Sequence, residues 1–513
     1  MMSPSNGATS FRILFLNPPG PGGEVWMKEV GRCGRKAIGG EIWPQTGLAY
    51  LAAMVQREGH EARIIDAMAE PFAPDALAEV CREWRPHLVI ANSATPTLRH
   101  DSQILQRLRG ETGALCGFCG PHVSALPVET LRETLADFGL VNEAEETVAE
   151  LVRRFAEVAP EYPLHPAGSP DRPRHALFAG IRGLAWRDPN AKDEEFRIVL
   201  NPPRPMIPDL DALPLPARAL LPNRAYRVPF FQNHPFATVI PSRGCPWPCT
   251  FCRAGRVWGR RIRLRSVESV LREIEDMRRD LGIRHFAFMT DSLTLNRKWA
   301  LDLFHGLSEL PDPPEWMCNS RVDVVDAELL RAMKRANCRV ISYGVESGSQ
   351  AILDRSRKGI TLEQSETAMR LTREAGILSM AYFIIGLPGE TAETVRESIR
   401  FAKRIRPDYV NFHVATPFPG TELYEEALEK GWLTSTNWDD YEEEGSAVLQ
   451  VGELTPRDLR RLQAQAMRAF YLRPSRLLEE LRGLGSWAEL RAKTRAGMRI
   501  LSTLGRGRKK NEE

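Results

Sequence analysis

The chain has 513 residues, 69 Lys and Arg against 66 Asp and Glu, a formal net charge of +3, and 43% apolar residues. A single core rarely grows beyond about 250–300 residues, so roughly three domains are expected, and the near-balanced charge names no partner. Nine cysteines in so long a chain do not suggest a disulfide-framed secreted scaffold. No signal-peptide pattern and no apolar run of about 18 residues is present, so the chain reads as cytoplasmic.

After Met1–Ser10, Arg12–Leu16 is predicted as a buried strand, followed by the loop Asn17-Pro-Pro-Gly-Pro-Gly-Gly. Leu48–Glu58, Ala73–Glu83 and Ser102–Arg109 have helical spacing, and Ala62–Ile65, Leu88–Ala91 and Ala114–Phe118 are further apolar strands. Such alternation predicts an α/β fold with an open parallel sheet, and ligands belong at the carboxyl ends of its strands. Those ends carry Asn17–Gly20, Asn92–Thr95 and Cys119–His122. Cys116 and Cys119 also form a C-x2-C pair, but redox pairs of that spacing open a helix, and here both fall on a strand. Residues 151–235 are proline-rich and read as a linker, with a small strand pair at Gly183–Arg187 and Arg197–Leu200.

From Ala237 strands and helices alternate again. Predicted strands are Ala237–Pro241, His285–Thr290, Glu315–Asn319, Arg339–Val345, Ser379–Ile385 and Tyr409–Ala415. Helices lie between them, for instance Val267–Leu281 and Thr361–Ala375. Thr455–Leu504 is helical and rich in Arg and Leu, and the chain closes on the basic run Arg506–Lys510.

Just after the first of these strands comes Gly244-Cys245-Pro-Trp-Pro-Cys249-Thr-Phe-Cys252. Gly244, Pro246 and Pro248 keep the cysteines out of regular structure. Soft thiolates this close together select an iron–sulfur cluster, zinc or copper(I). A structural zinc would need a fourth ligand, for which Cys318, Cys338, His234 and His285 are candidates. Cys318 is read as a strand-end and Cys338 as a helix-end residue.

The spacing Cys245-x3-Cys249-x2-Cys252, with Phe251 before the last cysteine, resembles the signature of the radical S-adenosylmethionine (SAM) superfamily. The resemblance implies one [4Fe-4S] cluster whose open iron chelates SAM, and a 5′-deoxyadenosyl radical formed by one-electron cleavage. It places Phe251 against the SAM adenine. Ile384-Ile-Gly386-Leu-Pro-Gly389-Glu390 and Tyr343-Gly-Val-Glu346-Ser347-Gly-Ser are similar to the family's fifth- and fourth-strand segments. By the same resemblance Gly386, Gly389, Glu390, Glu346 and Ser347 approach SAM, Arg321 reaches its carboxylate, and Asp291 its amine. The expected fold for this part is the partial (β/α)6 barrel, a relative of the TIM barrel.

The N-terminal block resembles the Rossmann-like cobalamin-binding domain that precedes the barrel in one large branch of that superfamily. Ser93, Thr95 and Gly120 match the segments that line the slot for the nucleotide tail. Two departures stand out: there is no D-x-H-x-x-G, so no histidine is set to ligate cobalt, and Cys119 replaces a glycine. The expected organisation is 11–150 cobalamin-binding, 151–235 linker, 236–433 barrel, and 434–513 a helical region with a basic tail.

With the Pro-Ala-Arg218 and Thr416–Thr421 segments, the chain is similar to the group containing anaerobic magnesium-protoporphyrin cyclases, hopanoid-modifying enzymes and cobalamin-dependent methyltransferases. This resemblance implies methylation of an unactivated carbon on a small molecule such as a lipid or tetrapyrrole, with a flavodoxin- or ferredoxin-type electron donor. The alternatives are an oxidative cyclase, a radical SAM enzyme without cobalamin, and a non-catalytic iron–sulfur or zinc protein. The basic tail reads as a solvated face, with peripheral contact to anionic lipid as the alternative. It lacks the interleaved aromatics expected of a nucleic-acid surface.

Overall fold

The computed structural model describes residues 10–29, 34–37, 39–72, 74–158, 177–188, 190–191, 197–231, 235–443 and 446–474. They divide into two compact units. One comprises residues up to 34 with 42–226 and 256–266; the other comprises 35–41, 227–255 and 267 onward.

The first unit is built on β1 (Arg12–Asn17), β2 (Glu61–Asp66), β3 (Leu88–Asn92), β4 (Leu115–Cys119), β5 (Phe138–Leu140), β6 (Leu184–Arg187) and β7 (Ile198–Leu200). Their order is β2-β1-β3-β4-β5-β6-β7. β1 runs parallel to both β2 and β3, with Ile13 opposite Ala62 and Leu88. β3, β4 and β5 continue in parallel, and β6 and β7 close the sheet antiparallel. Every residue of β3 and β4 is buried, as continuous apolar strands covered on both faces require. The helices are α1 (Thr46–Arg57), α2 (Pro74–Trp84), α3 (Leu98–Thr112), α4 (Pro121–Ala125), α5 (Pro127–Glu133) and α6 (Glu145–Val158). Strand order 2-1-3-4-5 reverses between β1 and β3, and a doubly wound sheet binds ligands at that switch point.

Two expectations need correction, and one strand adds to those the sequence predicts. β5 went unpredicted because Phe-Gly-Leu is only three residues long with glycine in the middle. The hairpin expected inside the linker instead extends the main sheet, since Leu184, Ala185 and Trp186 are almost wholly buried against β5. α3 starts at Leu98, four residues before the predicted Ser102, because Thr97 and Pro96 form a turn that leads directly into it.

The second unit contains β8 (Phe236–Val239), β9 (His285–Phe288), β10 (Glu315–Ser320), β11 (Cys338–Glu346), β12 (Leu378–Ile385) and β13 (Tyr409–Val414). They pair in sequence order, all in parallel. The intervening helices are α7 (Val267–Leu281), α8 (Arg297–Glu309), α9 (Ala327–Arg335), α10 (Gln350–Arg355), α11 (Leu362–Glu374) and α12 (Ala392–Ile405). α13 (Glu422–Glu429) and α14 (Pro456–Tyr471) follow β13. This is the partial barrel the sequence predicts.

Alternation sorts the side chains. Trp316 and Cys318, Ile341 and Tyr343, Ala381 and Phe383, and Val410 and Phe412 join the core that includes Leu303, Met333, Met369 and Ile399 from the helices. The intervening residues, such as Met380, Tyr382, Asn411 and His413, therefore take the opposite, inner face. Cys338 opens β11 rather than ending a helix. α14 seals the end of the sheet: Gln463 Nε2 donates to the Phe412 carbonyl at 2.7 Å and the Val410 amide donates to Tyr471 Oη at 3.0 Å. Residues 475–513, which carry the rest of the predicted helix and the basic tail, lie outside the described residues. So do Pro163–Arg174 and His234.

Candidate cluster, SAM and cobalamin sites

The three cysteines follow the carboxyl end of β8 in an open loop. Cys245 and Cys249 are half-buried and Cys252 is exposed. The loop is pinned by backbone bonds at both faces of Thr250, whose amide donates to the Ser356 carbonyl at 3.1 Å and whose carbonyl accepts from Leu423 at 3.0 Å. Burial raises both the Cys245 and Cys249 thiols. The Asp291 carboxylate adds to the rise at Cys245, while Lys358 and Arg321 oppose it at Cys249. Two cations beside a thiol favour its deprotonated, ligating form.

Arg321 follows β10 and lies with its guanidinium carbon 3.9 Å from the centre of the Trp247 ring. Its fork engages Asp323 at 2.8 and 2.9 Å, and Nη2 also donates to the Lys358 carbonyl at 2.9 Å. The structure thus places Arg321 beside the cysteine loop with its fork on an internal carboxylate.

Glu346 sits at a β-bulge, where the β11–β12 register shifts between Gly344 and Glu346, and its φ is +65°. A bulge beside an active site re-aims a side chain. Here the carboxylate folds back over Gly344 to meet Lys358 Nζ at 2.6 Å, with both side chains more than 90% buried. A Cβ on Gly344 would fall 2.3 Å from Glu346 Oε1, so the glycine makes room for this pair. Burial alone would lower the Lys358 ammonium, and the facing Glu346 carboxylate together with Cys249 more than offsets it.

The other expected SAM residues divide. Gly386 and Gly389 have φ of +96° and +87°, which glycine adopts without strain. A Cβ on Gly386 would meet the Leu459 side chain at 3.0 Å, so this glycine packs against α14. Glu390 folds back to accept from the Gly386 and Leu387 amides, while its Oε1 is buried without a hydrogen-bond partner among the described residues. Desolvation lifts its pKa to about 7. Ser347 Oγ lies 3.2 Å from Ser398 Oγ on α12 and accepts from the Ser349 amide. Asp291 is half-buried past the end of β9, and Phe251 packs on the barrel core. Sequence reasoning missed Lys358, which stands in a run of cations with nothing to distinguish it.

None of the described candidates for a fourth zinc ligand reaches the cysteine loop. Cys318 and Cys338 lie in the helix-facing core. His285 opens β9 at its amino end, stacked 5.0 Å from Phe231, whereas the loop follows a carboxyl end. Among the described residues no three His, Cys, Asp or Glu side chains form a preformed single-ion cage. The donor set fits a cluster instead: three thiols on one irregular loop, flanked by two cations and open at Cys252.

In the first unit, Ser93, Thr95 and Gly120 come together at the carboxyl ends of β3 and β4. Gly120 has φ of +112°, and a Cβ there would fall 2.5 Å from the Ser93 carbonyl oxygen and 2.6 Å from Asn92 Oδ1. Thr95 Oγ1 is 3.1 Å from His122 Nδ1. Nearby, Asp66 accepts from Asn17 Nδ2 at 2.7 Å and Tyr226 Oη at 3.0 Å, and Asn92 donates to Gln45 at 2.9 Å. This cluster of polar groups at the switch point, with the bare Gly120 backbone half-exposed beside it, fits the border of a cofactor slot. Cys116 and Cys119 are buried in β4, and burial drives the Cys119 thiol far up, as in an unreactive core cysteine.

The profile of the radical SAM superfamily matches residues 239–402, and that of the B12-binding domain matches residues 37–152. An uncharacterized methyltransferase of Pyrococcus horikoshii is 34% identical over 87% of this chain and 92% of its own length. The anaerobic magnesium-protoporphyrin IX monomethyl ester cyclase of Cereibacter sphaeroides is 30% identical over 76% of this chain and 61% of its own. Among solved structures, the radical SAM methyltransferase TsrM of Kitasatospora setae, with cobalamin and a [4Fe-4S] cluster bound, superposes with a TM-score of 0.65. It shares 19% identity and covers 88% of this chain and 85% of its own, a likeness of fold. The chain belongs to the radical SAM superfamily, in the branch that carries a B12-binding domain before the barrel. It is an enzyme of methyltransferase character whose cofactors are a [4Fe-4S] cluster, SAM and cobalamin.

Proposed function

We propose that the enzyme transfers a methyl group to an unactivated carbon of a small, largely apolar molecule of lipid or tetrapyrrole type. When bound, the cluster supplies the electron that opens SAM to a 5′-deoxyadenosyl radical, and cobalamin carries the methyl group. In this reading Cys245, Cys249 and Cys252 hold the cluster, and Trp247 and Arg321 brace the loop between them. Asp291, Arg321, Glu346, Ser347, Gly386, Gly389 and Glu390 border SAM, with Phe251 at its adenine, while Ser93, Thr95 and Gly120 border cobalamin.

The observation that carries the reading is the Cys249 thiol flanked by Arg321 and the buried Lys358–Glu346 pair, in a chain that also holds the 2-1-3-4-5 sheet. A flavodoxin or ferredoxin would serve as electron donor. No helix among the described residues is long and apolar enough to cross a membrane, and we place the enzyme in the cytoplasm.

The similarity to the magnesium-protoporphyrin cyclase supports a second reading, oxidative cyclisation. One experiment separates them. Metabolites altered in a deletion strain identify the substrate, which is then supplied anaerobically to the reconstituted enzyme with methyl-deuterated SAM and a reductant. Methylation gives a deuterated product, with S-adenosylhomocysteine and 5′-deoxyadenosine in roughly equal amounts. Cyclisation gives 5′-deoxyadenosine without S-adenosylhomocysteine, which would sink the methyl-transfer reading.

A further inference from the structure

Beneath the segment joining β3 to α3 lies an ion pair with no exposure at either side chain. Lys28 Nζ is 2.9 Å from both Asp101 oxygens and 3.1 Å from the Asn92 carbonyl, so three acceptors meet its three N–H bonds. The Asp101 carboxylate also accepts from Ser93 Oγ and Thr97 Oγ1, each at 2.7 Å. One carboxylate therefore ties both ends of the Ser93–Thr97 segment. Ser93 and Thr95 in that segment border the proposed cobalamin slot, and Gly120 packs against its Ser93 carbonyl.

A buried ion pair adds little to stability, because taking both charges out of water costs about as much as their attraction returns. Apolar residues of similar volume would avoid that desolvation, but would leave the buried Ser93 and Thr97 hydroxyls without this acceptor. What the pair does supply is direction. It has one geometry, and it fixes where the two hydroxyls and the Asn92 carbonyl lie. Asp101 is also in the first turn of α3, where the helix dipole favours a carboxylate.

We propose that Lys28 and Asp101 are positioning residues for cobalamin: the Asp101 carboxylate, held by Lys28, presets the Ser93–Thr97 segment in the shape that receives the cofactor. The proposal rests on the cobalamin slot described above. It assigns no contact between either side chain and the cofactor, and it deepens the site without altering the reaction.

The test compares dissociation constants for hydroxocobalamin, read by absorbance on the full chain, with thermal midpoints of the same samples. Lys28→Met/Asp101→Leu removes both charges together, so it should melt below the wild type only by the cost of the unpartnered hydroxyls, and bind cobalamin about tenfold or more weakly. Lys28→Met/Asp101→Asn keeps an acceptor for both hydroxyls but loses the lysine that holds it, and should recover only part of the affinity. Thr97→Val, which severs one tether at nearly constant shape, should weaken binding several-fold and speed hydrogen exchange across Ala94–Leu98. Wild-type affinity in the Leu double variant, or in Thr97→Val should the Leu variant not fold, overturns the proposal. A wild type that takes up no cobalamin would overturn the slot itself, which separates the two failures.

Discussion

Lys358 Nζ stands 2.6 Å from Glu346 Oε1, and each side chain is more than 90% buried. The Lys358 carbonyl accepts from Arg321, which stacks on Trp247 in the cysteine loop. One lysine thus links the end of β11, the end of β10 and the loop that carries the thiols. Removing one member of a buried pair leaves the other charge uncompensated, at a cost of roughly 3–5 kcal/mol. Lys358→Met should lower the thermal midpoint sharply, and Lys358→Met/Glu346→Gln should restore most of it. With the fold restored, 5′-deoxyadenosine formation is expected to stay low, because Glu346 no longer presents a carboxylate. Its recovery would show that Glu346 only packs.

The cysteines should divide cleanly in an iron assay. Cys245→Ser, Cys249→Ser and Cys252→Ser are each expected to cut iron from about four per chain to well below that. Cys318→Ser and Cys338→Ser should keep it, since both thiols face the helix-packed core. Those two should instead lose stability, because a hydroxyl replaces a buried thiol. Iron near eight per chain in the reconstituted wild type would contradict a single cluster.

How much of this was legible beforehand follows from what kind of signal each residue gives. The cysteine loop announces itself, because three thiols among Gly and Pro have little other use. The barrel strands show too, as apolar runs at regular spacing, and each begins and ends within a few residues of expectation. Ser93 and Gly120 are named by their resemblance to the B12-binding segments, and the sequence already sets them after strands. Lys358 and Asp101 give no such signal. Lys358 sits in Arg355-Ser-Arg-Lys358, where each cation looks solvated, and only the backward turn after α10 buries it. Asp101 reads as an ordinary acid in a first helical turn until Lys28, 73 residues earlier, meets it. Tertiary partners decide such residues, and a local pattern does not contain them.

Arg321 separates two roles that the sequence cannot. Its planar fork takes both Asp323 oxygens while its face covers Trp247, a geometry that lysine does not reproduce. Arg321→Lys should keep most of the iron and raise the dissociation constant for SAM about tenfold or more, measured by equilibrium dialysis on cluster-loaded protein. A lowered thermal midpoint with unchanged SAM affinity would reduce Arg321 to a brace for the loop.

Glu390 gives the chain a pH signature whose sign follows from the burial of its carboxyl. Its carboxyl is held at about 7 by desolvation, against an ordinary value of 4.5, although Oε2 accepts from two amides. Between those two values the folded protein binds more protons than the unfolded chain, so this group's contribution to stability falls as pH rises. The contribution is fully present below about pH 4.5 and lost through about pH 7, on the order of 3 kcal/mol in all. Glu390→Gln cannot ionise and still offers an oxygen to the Gly386 and Leu387 amides. Urea midpoints of the variant should therefore fall less than those of the wild type between pH 5 and about 7.5, so that the variant gains relative stability at the alkaline end. Parallel curves for the two proteins would mean that the carboxyl ionises freely in the folded state, and that the loop from Gly386 to Glu390 is more open to water than its buried carboxyl indicates.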